Sequence, residues 1–157
     1  MEIKLTAFVD LTSSEVYQIL QLRQLVFGLE QQCLYQDMDD RDQNSWHLTI
    51  VDSNRLIAYA RLIPVGVSYP DYASFGRVVT HPAIRQTGVG KTLLAHIILN
   101  MQRLFPGQPI KIGAQLYLQQ FYQSVGFHSC GEVYLEDGIE HIHMIQQLRL
   151  ITAISTH

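Results

Sequence analysis

Cysteine is scarce in this sequence: Cys33 and Cys130 are the only two in 157 residues, far apart and without a Cys-x-x-Cys pair. That spacing suggests neither a disulfide scaffold nor a zinc knuckle, and both are expected as reduced, partly buried thiols. A basic excess is lacking too, with 11 Lys and Arg against 14 Asp and Glu and a formal net charge of -3. No electrostatic footprint for a polyanion results, so no nucleic acid is expected as a partner. No apolar run approaches the roughly 20 residues that span a bilayer, and "MEIKLTAFVD" has neither the basic start nor the long apolar core of a signal peptide. No membrane contact is expected, and the chain reads as cytoplasmic. Repeats, low-complexity segments and linkers are also missing. What remains is an ordinary globular balance, 47% apolar and 16% charged. The length suits one domain burying roughly two-thirds of its unfolded surface. A single domain over residues 1–157 is expected, its motif-bearing core at about 7–150.

The order of elements follows from periodicity. "LTSSEVYQILQLRQLVFGLEQ" opens with Thr12 and Glu15 in capping-box spacing and continues at a helical period through Phe27, a first helix. Gln32 to Ser45 loses the period and gathers carboxylates and amides, a long loop with a short helical turn. "WHLTIVD" and "RLIAYARLIPV" flank a polar turn at Ser53 and Asn54, an antiparallel hairpin. "SFGRVVTHP" is a further strand, stopped by Pro82. From Gly88 an apolar stripe of Val89, Leu93, Leu94, Ile97, Ile98, Met101 and Leu104 marks a second helix, ended by Pro106 and Gly107. "IKIGAQ" is a short strand. "LYLQQFYQSVGF" is a helix that Gly126 can close in the left-handed conformation. The segment from Ser129 to Leu148 folds as two strands around Asp137-Gly138. The expected fold is mixed α/β in layers, a central, mostly antiparallel sheet flanked by helices.

"HPAIRQTGVGKTLL" has the Gly-Lys-Thr ending of a nucleotide-binding P-loop, whose first glycine would have to stand at Arg85. With arginine there and no acidic strand end to hold magnesium, the ATPase reading weakens. What remains is a strand, a short loop and a helix start, whose unpaired N–H groups and positive dipole end suit a phosphate or diphosphate. Gly88 and Gly90 allow close backbone approach, and Arg85 and Lys91 could add charge from the rim. The plain alternative is that these glycines only shape a tight strand-to-helix turn.

Arg85-Gln86-Thr87-Gly88-Val89-Gly90 resembles the Arg/Gln-x-x-Gly-x-Gly/Ala signature of the GCN5-related N-acetyltransferases (GNAT). "VVTHPAIR" is similar to the strand leading into that signature, and Phe121 to Phe127 matches the Phe-Tyr-x-x-x-Gly-Phe end of the family's last helix. "LRQLVFGLEQQCLYQD", "AYARL", "FGRVVT", "GAQLYLQQFYQSVGF" and "EDGIEHIHM" resemble the ElaA-like branch, so the likeness runs from about residue 15 to about residue 147. It implies an enzyme that transfers an acetyl group from acetyl-CoA to a primary amine by direct attack, without a metal. The resemblance places the diphosphate on the backbone N–H groups of Gln86, Thr87, Gly88, Val89, Gly90 and Lys91, with Arg85 binding the cofactor from the rim, and the pantetheine beside a locally splayed strand at Val78, Val79 and Thr80. It makes Tyr122 the acid for the departing thiolate, although an aromatic there would otherwise read as core. Gln115 stands where many family members have asparagine, a departure that leaves the detailed contact with the cofactor amide open.

The acceptor, a small-molecule or peptide amine, is expected against Arg23, Glu30, Arg61 and His141. For both arginines a structural ion pair with Glu30 or Asp37 is the competing expectation. Glu30, Glu132, Glu136, Glu140, His81, His128 and His141 are all conceivable bases. His141 and His143 alternate on one strand and His128 and Cys130 on another, but zinc spacing is absent and no metal is expected. Loss of transfer chemistry would leave a non-catalytic acyl-CoA-binding or regulatory module. Strand edges near the C-terminus leave room for a homodimer.

Overall fold

The computed structural model describes residues 1–147; Leu148 of the expected last strand, and the rest of the expected domain to residue 157, lie outside the described residues. The hairpin strands form as the alternation predicts: β2 is Trp46–Asp52 and β3 is Arg55–Ile63, joined through Ser53 and Asn54, both at positive φ. β4, Ser74–Thr80, pairs with the other side of β3. A strand that the sequence reading did not assign, β1 at Glu2–Ala7, pairs antiparallel with β2 and completes the order β1-β2-β3-β4. A second sheet has the order β5-β7-β6, with β5 at Ile110–Gln115, β6 at His128–Glu136 and β7 at Ile139–Gln146. Its hairpin turns at Asp137 and Gly138, φ +52° and +77°, as that dipeptide favours. The protein is a mixed α/β structure with antiparallel sheets.

Helix α1, Ser13–Arg23, begins with the expected capping box: Thr12 accepts from the Glu15 N–H at 3.1 Å and Glu15 accepts from the Thr12 N–H at 3.0 Å. The expected single helix does not run on to Gln31. From Gln24 to Glu30 the chain widens into a π-helical turn, with Gln31 N–H donating to the Val26 carbonyl five residues back. α1 and this turn bury Ile19, Leu22, Val26 and Phe27 against Leu56, Tyr59 and Val79 on one face of the first sheet. On the opposite face α2, Val89–Leu104, buries Leu93, Leu94, Ile97 and Met101 in the main core with Ile110, Ile112, Ile142 and Met144.

α3 is shorter than expected, Gln119–Gln123, and follows a 3-10 turn at Leu116–Leu118. It closes at Gly126, φ +94°, where Phe127 N–H donates to the Tyr122 carbonyl and Gly126 N–H to that of Gln123. This Schellman closure swings Phe127 back into the core.

Candidate active site

Between the sheets the backbone ladder fails. At one end β4 and β5 run parallel and are pinned, Ala73 N–H donating to Pro109 and Lys111 N–H to the Ala73 carbonyl, at 3.1 and 2.9 Å. No ladder pairs β4 with β5 beyond that bridge, and a cleft of about 710 Å³ opens there. Phe75 to Thr80 line one wall, Ile112 to Gln115 the other, and Phe27, Glu30 and Gln31 of the π-helical region lie over it.

A bulge shapes the β4 wall. Tyr59 pairs with Val79 but Arg61 pairs with Gly76, so β4 carries one extra residue, and Arg77 sits at φ +49°. The Arg77 guanidinium is tied to Asp37 by Nε to Oδ1 at 2.8 Å and by Nη2 to the Asp37 carbonyl at 2.9 Å. Val78, in the bulge, and Val79 and Thr80, past it, line the cleft.

At the α2 end of the cleft, Gly88 caps α2 at φ +86°, a conformation that disfavours any side chain, and Gln86 also has positive φ, +66°. The first helical bond runs from Thr92 N–H to the Gly88 carbonyl, so the N–H groups of Val89, Gly90 and Lys91 have no intrahelical acceptor. A Cβ on Gly90 would meet nothing within 4 Å, which leaves its backbone open to an approaching group. Thr87 Oγ1 donates to the Ile84 carbonyl at 2.5 Å and fixes the loop. Arg85 is not a free charge: Nη1 lies 2.7 Å from Glu30 Oε1, and Nη2 donates to the Thr80 carbonyl at 3.3 Å.

Tyr122 is 4% exposed, packs against Phe75, Phe121 and Phe127, and lines the cleft. Burial pushes its hydroxyl well above the ordinary tyrosine value, which keeps the phenol protonated. Gln115, also on the wall, exchanges two amide hydrogen bonds with Gln31, at 3.1 and 3.3 Å. His141 lines the same cleft at 7% exposure.

The two arginines expected at the acceptor turn out to be in a carboxylate network. Arg23 is fully buried and bonds Asp37 Oδ2 and Asp42 Oδ1, both at 2.8 Å, and it does not line the cleft. Arg61, 2% exposed, reaches the cleft edge, but its terminal nitrogens hold both oxygens of Asp39 at 2.7 and 2.8 Å, and Asp42 at 3.0 Å. Glu30 pairs with Arg85 rather than with either of them. Burial alone would raise the Asp39 carboxyl; the Arg61 hydrogen bonds and charge overcome it and hold it at about 2. Burial would likewise lower the Arg23 guanidinium, but Tyr59, Asp42 and Asp37 hold it above the usual arginine value. Asp37 is the ion-pair partner the sequence offered, and it holds Arg23, whereas Asp39, Asp42 and Arg77 went unassigned in sequence. The signal was the crowd of acids in "QDMDDRDQ", too many for a loop unless cations lie beneath it.

Cys130 faces His143 across the β6/β7 ladder, but among the described residues no three His, Cys, Asp or Glu side chains gather as metal ligands. Both cysteines are unpaired, Cys33 buried as expected and Cys130 exposed.

A sheet parted beside a bare helix N-terminus, with a buried phenol between the strands, defines the class: the acyl-CoA N-acyltransferase fold. The acetyltransferase (GNAT) domain family matches residues 14–148, and the chain belongs to that family. It is therefore an acyltransferase. It is 43% identical over 139 residues to the UPF0039 protein sll0451 of Synechocystis, covering 88% of this chain and 90% of that one. Protein ElaA of Escherichia coli is 38% identical over 141 residues, 88% and 92% of the two chains. The crystal structure of Escherichia coli ElaA superposes with a TM-score of 0.87 over 93% of this chain and 99% of that one. An acyl-CoA N-acyltransferase from Pseudomonas aeruginosa, 37% identical, gives the same TM-score over the same shares.

Proposed function

We propose that this protein transfers the acetyl group of acetyl-CoA to a primary amine by direct attack. The observation that carries this reading is the parted β4/β5 pair, with the α2 N-terminus at one end and the neutral Tyr122 hydroxyl on the same cleft. The residues fit the co-substrate: unpaired N–H groups from Val89 to Lys91 suit a diphosphate, and β4 at Val78 to Thr80 has an edge free for the amides of a pantetheine arm. Gln115 is a further amide on that path. Tyr122 donates its proton to the departing sulfur, a role that asks for a phenol neutral at working pH. Two unpaired cysteines suit a reducing compartment, and we place the protein in the cytoplasm.

Titration calorimetry with acetyl-CoA tests the co-substrate, and no heat at hundreds of micromolar would remove the reading. Tyr122→Phe is expected to lower kcat by roughly 100-fold or more while leaving acetyl-CoA affinity unchanged. An unaltered kcat would take Tyr122 out of the chemistry.

A further inference from the structure

Seven side chains stood as conceivable bases in the sequence, and the structure sorts them. His81, His128, Glu132 and Glu140 do not line the cleft, whereas Glu30, Glu136 and His141 do. Glu30 is engaged by Arg85. His141 and Glu136 remain, and they face one another, Nε2 to Oε2 at 3.4 Å.

His141 is held for a defined task. Its Nδ1 donates to the Ile139 carbonyl at 2.7 Å, and because a carbonyl only accepts, the neutral ring carries its lone pair on Nε2. The Tyr134 ring stacks on it at 5.7 Å and fixes its plane. In the ladder His141 lies opposite Gln115 of the cleft wall and opposite Tyr134 of β6. In the neutral ring the Nε2 lone pair and the Glu136 carboxylate are thus two acceptors turned toward each other at the cleft, and no side chain among the described residues donates to either. A primary ammonium, with three N–H donors and a positive charge, satisfies both.

We propose that Glu136 and His141 together receive the primary ammonium group of the acceptor and that His141 Nε2 is the general base. This rests on the acyl-transfer reading above. An N–H bond of the ammonium breaks as Nε2–H forms, and the freed lone pair bonds to the acyl carbon as the carbon–sulfur bond breaks. The sulfur takes the Tyr122 proton, the nitrogen's second proton replaces it, and the one left over leaves His141 for solvent. Glu136 stabilises the imidazolium in between.

The charged and titratable neighbours of the ring are Glu136 and Tyr134 from β6 and His143 from β7; Asp137 of the turn lines the same cleft, and Gln115 of β5 is uncharged. Burial, then Glu136 and Tyr69, push the Tyr134 phenol up to about 12, and burial and Lys111 hold His143 below the ordinary imidazole value. Neither neighbour supplies a competing positive charge near neutral pH.

The test uses the whole chain with CoA present and n-butylamine as the probe. The His141 Cε1–Hε1 resonance, assigned by its loss in His141→Gln, is expected to shift saturably with n-butylamine and not with tetramethylammonium, which has no N–H. With acetyl-CoA and n-butylamine, His141→Gln is expected to lower kcat/KM for the amine about 100-fold at neutral pH. That deficit should close as pH rises toward the alkylamine's own pKa of about 10.4, where the nucleophile arrives already neutral. Glu136→Gln is expected to raise KM for the amine severalfold and to lower kcat by less than His141→Gln does. A His141 resonance indifferent to n-butylamine, or a deficit constant across pH, overturns the proposal. Absence of acetyl-CoA binding instead overturns the reading beneath it.

Discussion

Gly88 shows how much one backbone angle can decide. At φ +86° an L side chain is strained, yet a Cβ there would touch nothing within 4 Å. Gly88→Ala should therefore cost about 1 to 2 kcal/mol by thermal melting, from strain alone, and should weaken CoA binding in calorimetry because the helix N-terminus is re-aimed. A loss of stability without loss of CoA affinity would mean that the loop does not hold the diphosphate. The residue was readable in the sequence, since glycine next to a helix stripe has few other uses. Arg77 was not: its positive φ is imposed by the extra residue in β4 and by Asp37, partners that no local pattern announces. Tyr122 lies between these cases. Its place on a helix was legible, while part of the burial that raises its hydroxyl pKa comes from Phe75, distant in sequence.

Most elements followed from periodicity, and those that did not are informative. The β2/β3 and β6/β7 hairpins, α2 and β5 form where alternation, apolar stripe and turn dipeptides place them. β1 escaped because six residues with only Ile3 and Leu5 packed against the main core carry too short a signal. The π-helical turn leaves no sequence signal, since its apolar residues keep a helical stripe while the winding changes. Yet that change sets Glu30 and Gln31 over the cleft, against Arg85 and Gln115. The loop from Gln32 to Ser45 is fastened by its acids to Arg23, Arg61 and Arg77. Asp42 is shared by two buried guanidinium groups, so Asp42→Asn should cost about 3 to 5 kcal/mol in denaturant unfolding. Arg85→Ala breaks only a solvent-facing pair and should cost less than about 1 kcal/mol. Equal costs would contradict this division. The network also sets an acid limit. Asp39 in the folded state lies at about 2 against an ordinary 3.8, so its contribution is complete above 3.8 and fades as pH falls through about 2. Asp42 is depressed in the same sense. The melting temperature should fall across that window, and Asp39→Asn should flatten the fall.

Two antiparallel sheets meet through one parallel bridge at Ala73 and Ile110, so the apo protein leaves an unfinished backbone edge between β4 and β5. A ligand that hydrogen-bonds there acts as part of the architecture as well as a reactant. Binding to the folded state alone contributes about 2.7 kcal/mol at 100 times the dissociation constant. Amide exchange at Val78 to Thr80 should slow with CoA more than at the far strand β1, and uniform slowing would argue against binding at the split. If the acyl donor of the proposed reaction fills this seam, a fall in its supply should leave more molecules with the seam unfilled and more readily cut by proteases. The turnover of the polypeptide is then expected to follow the abundance of its own acyl donor.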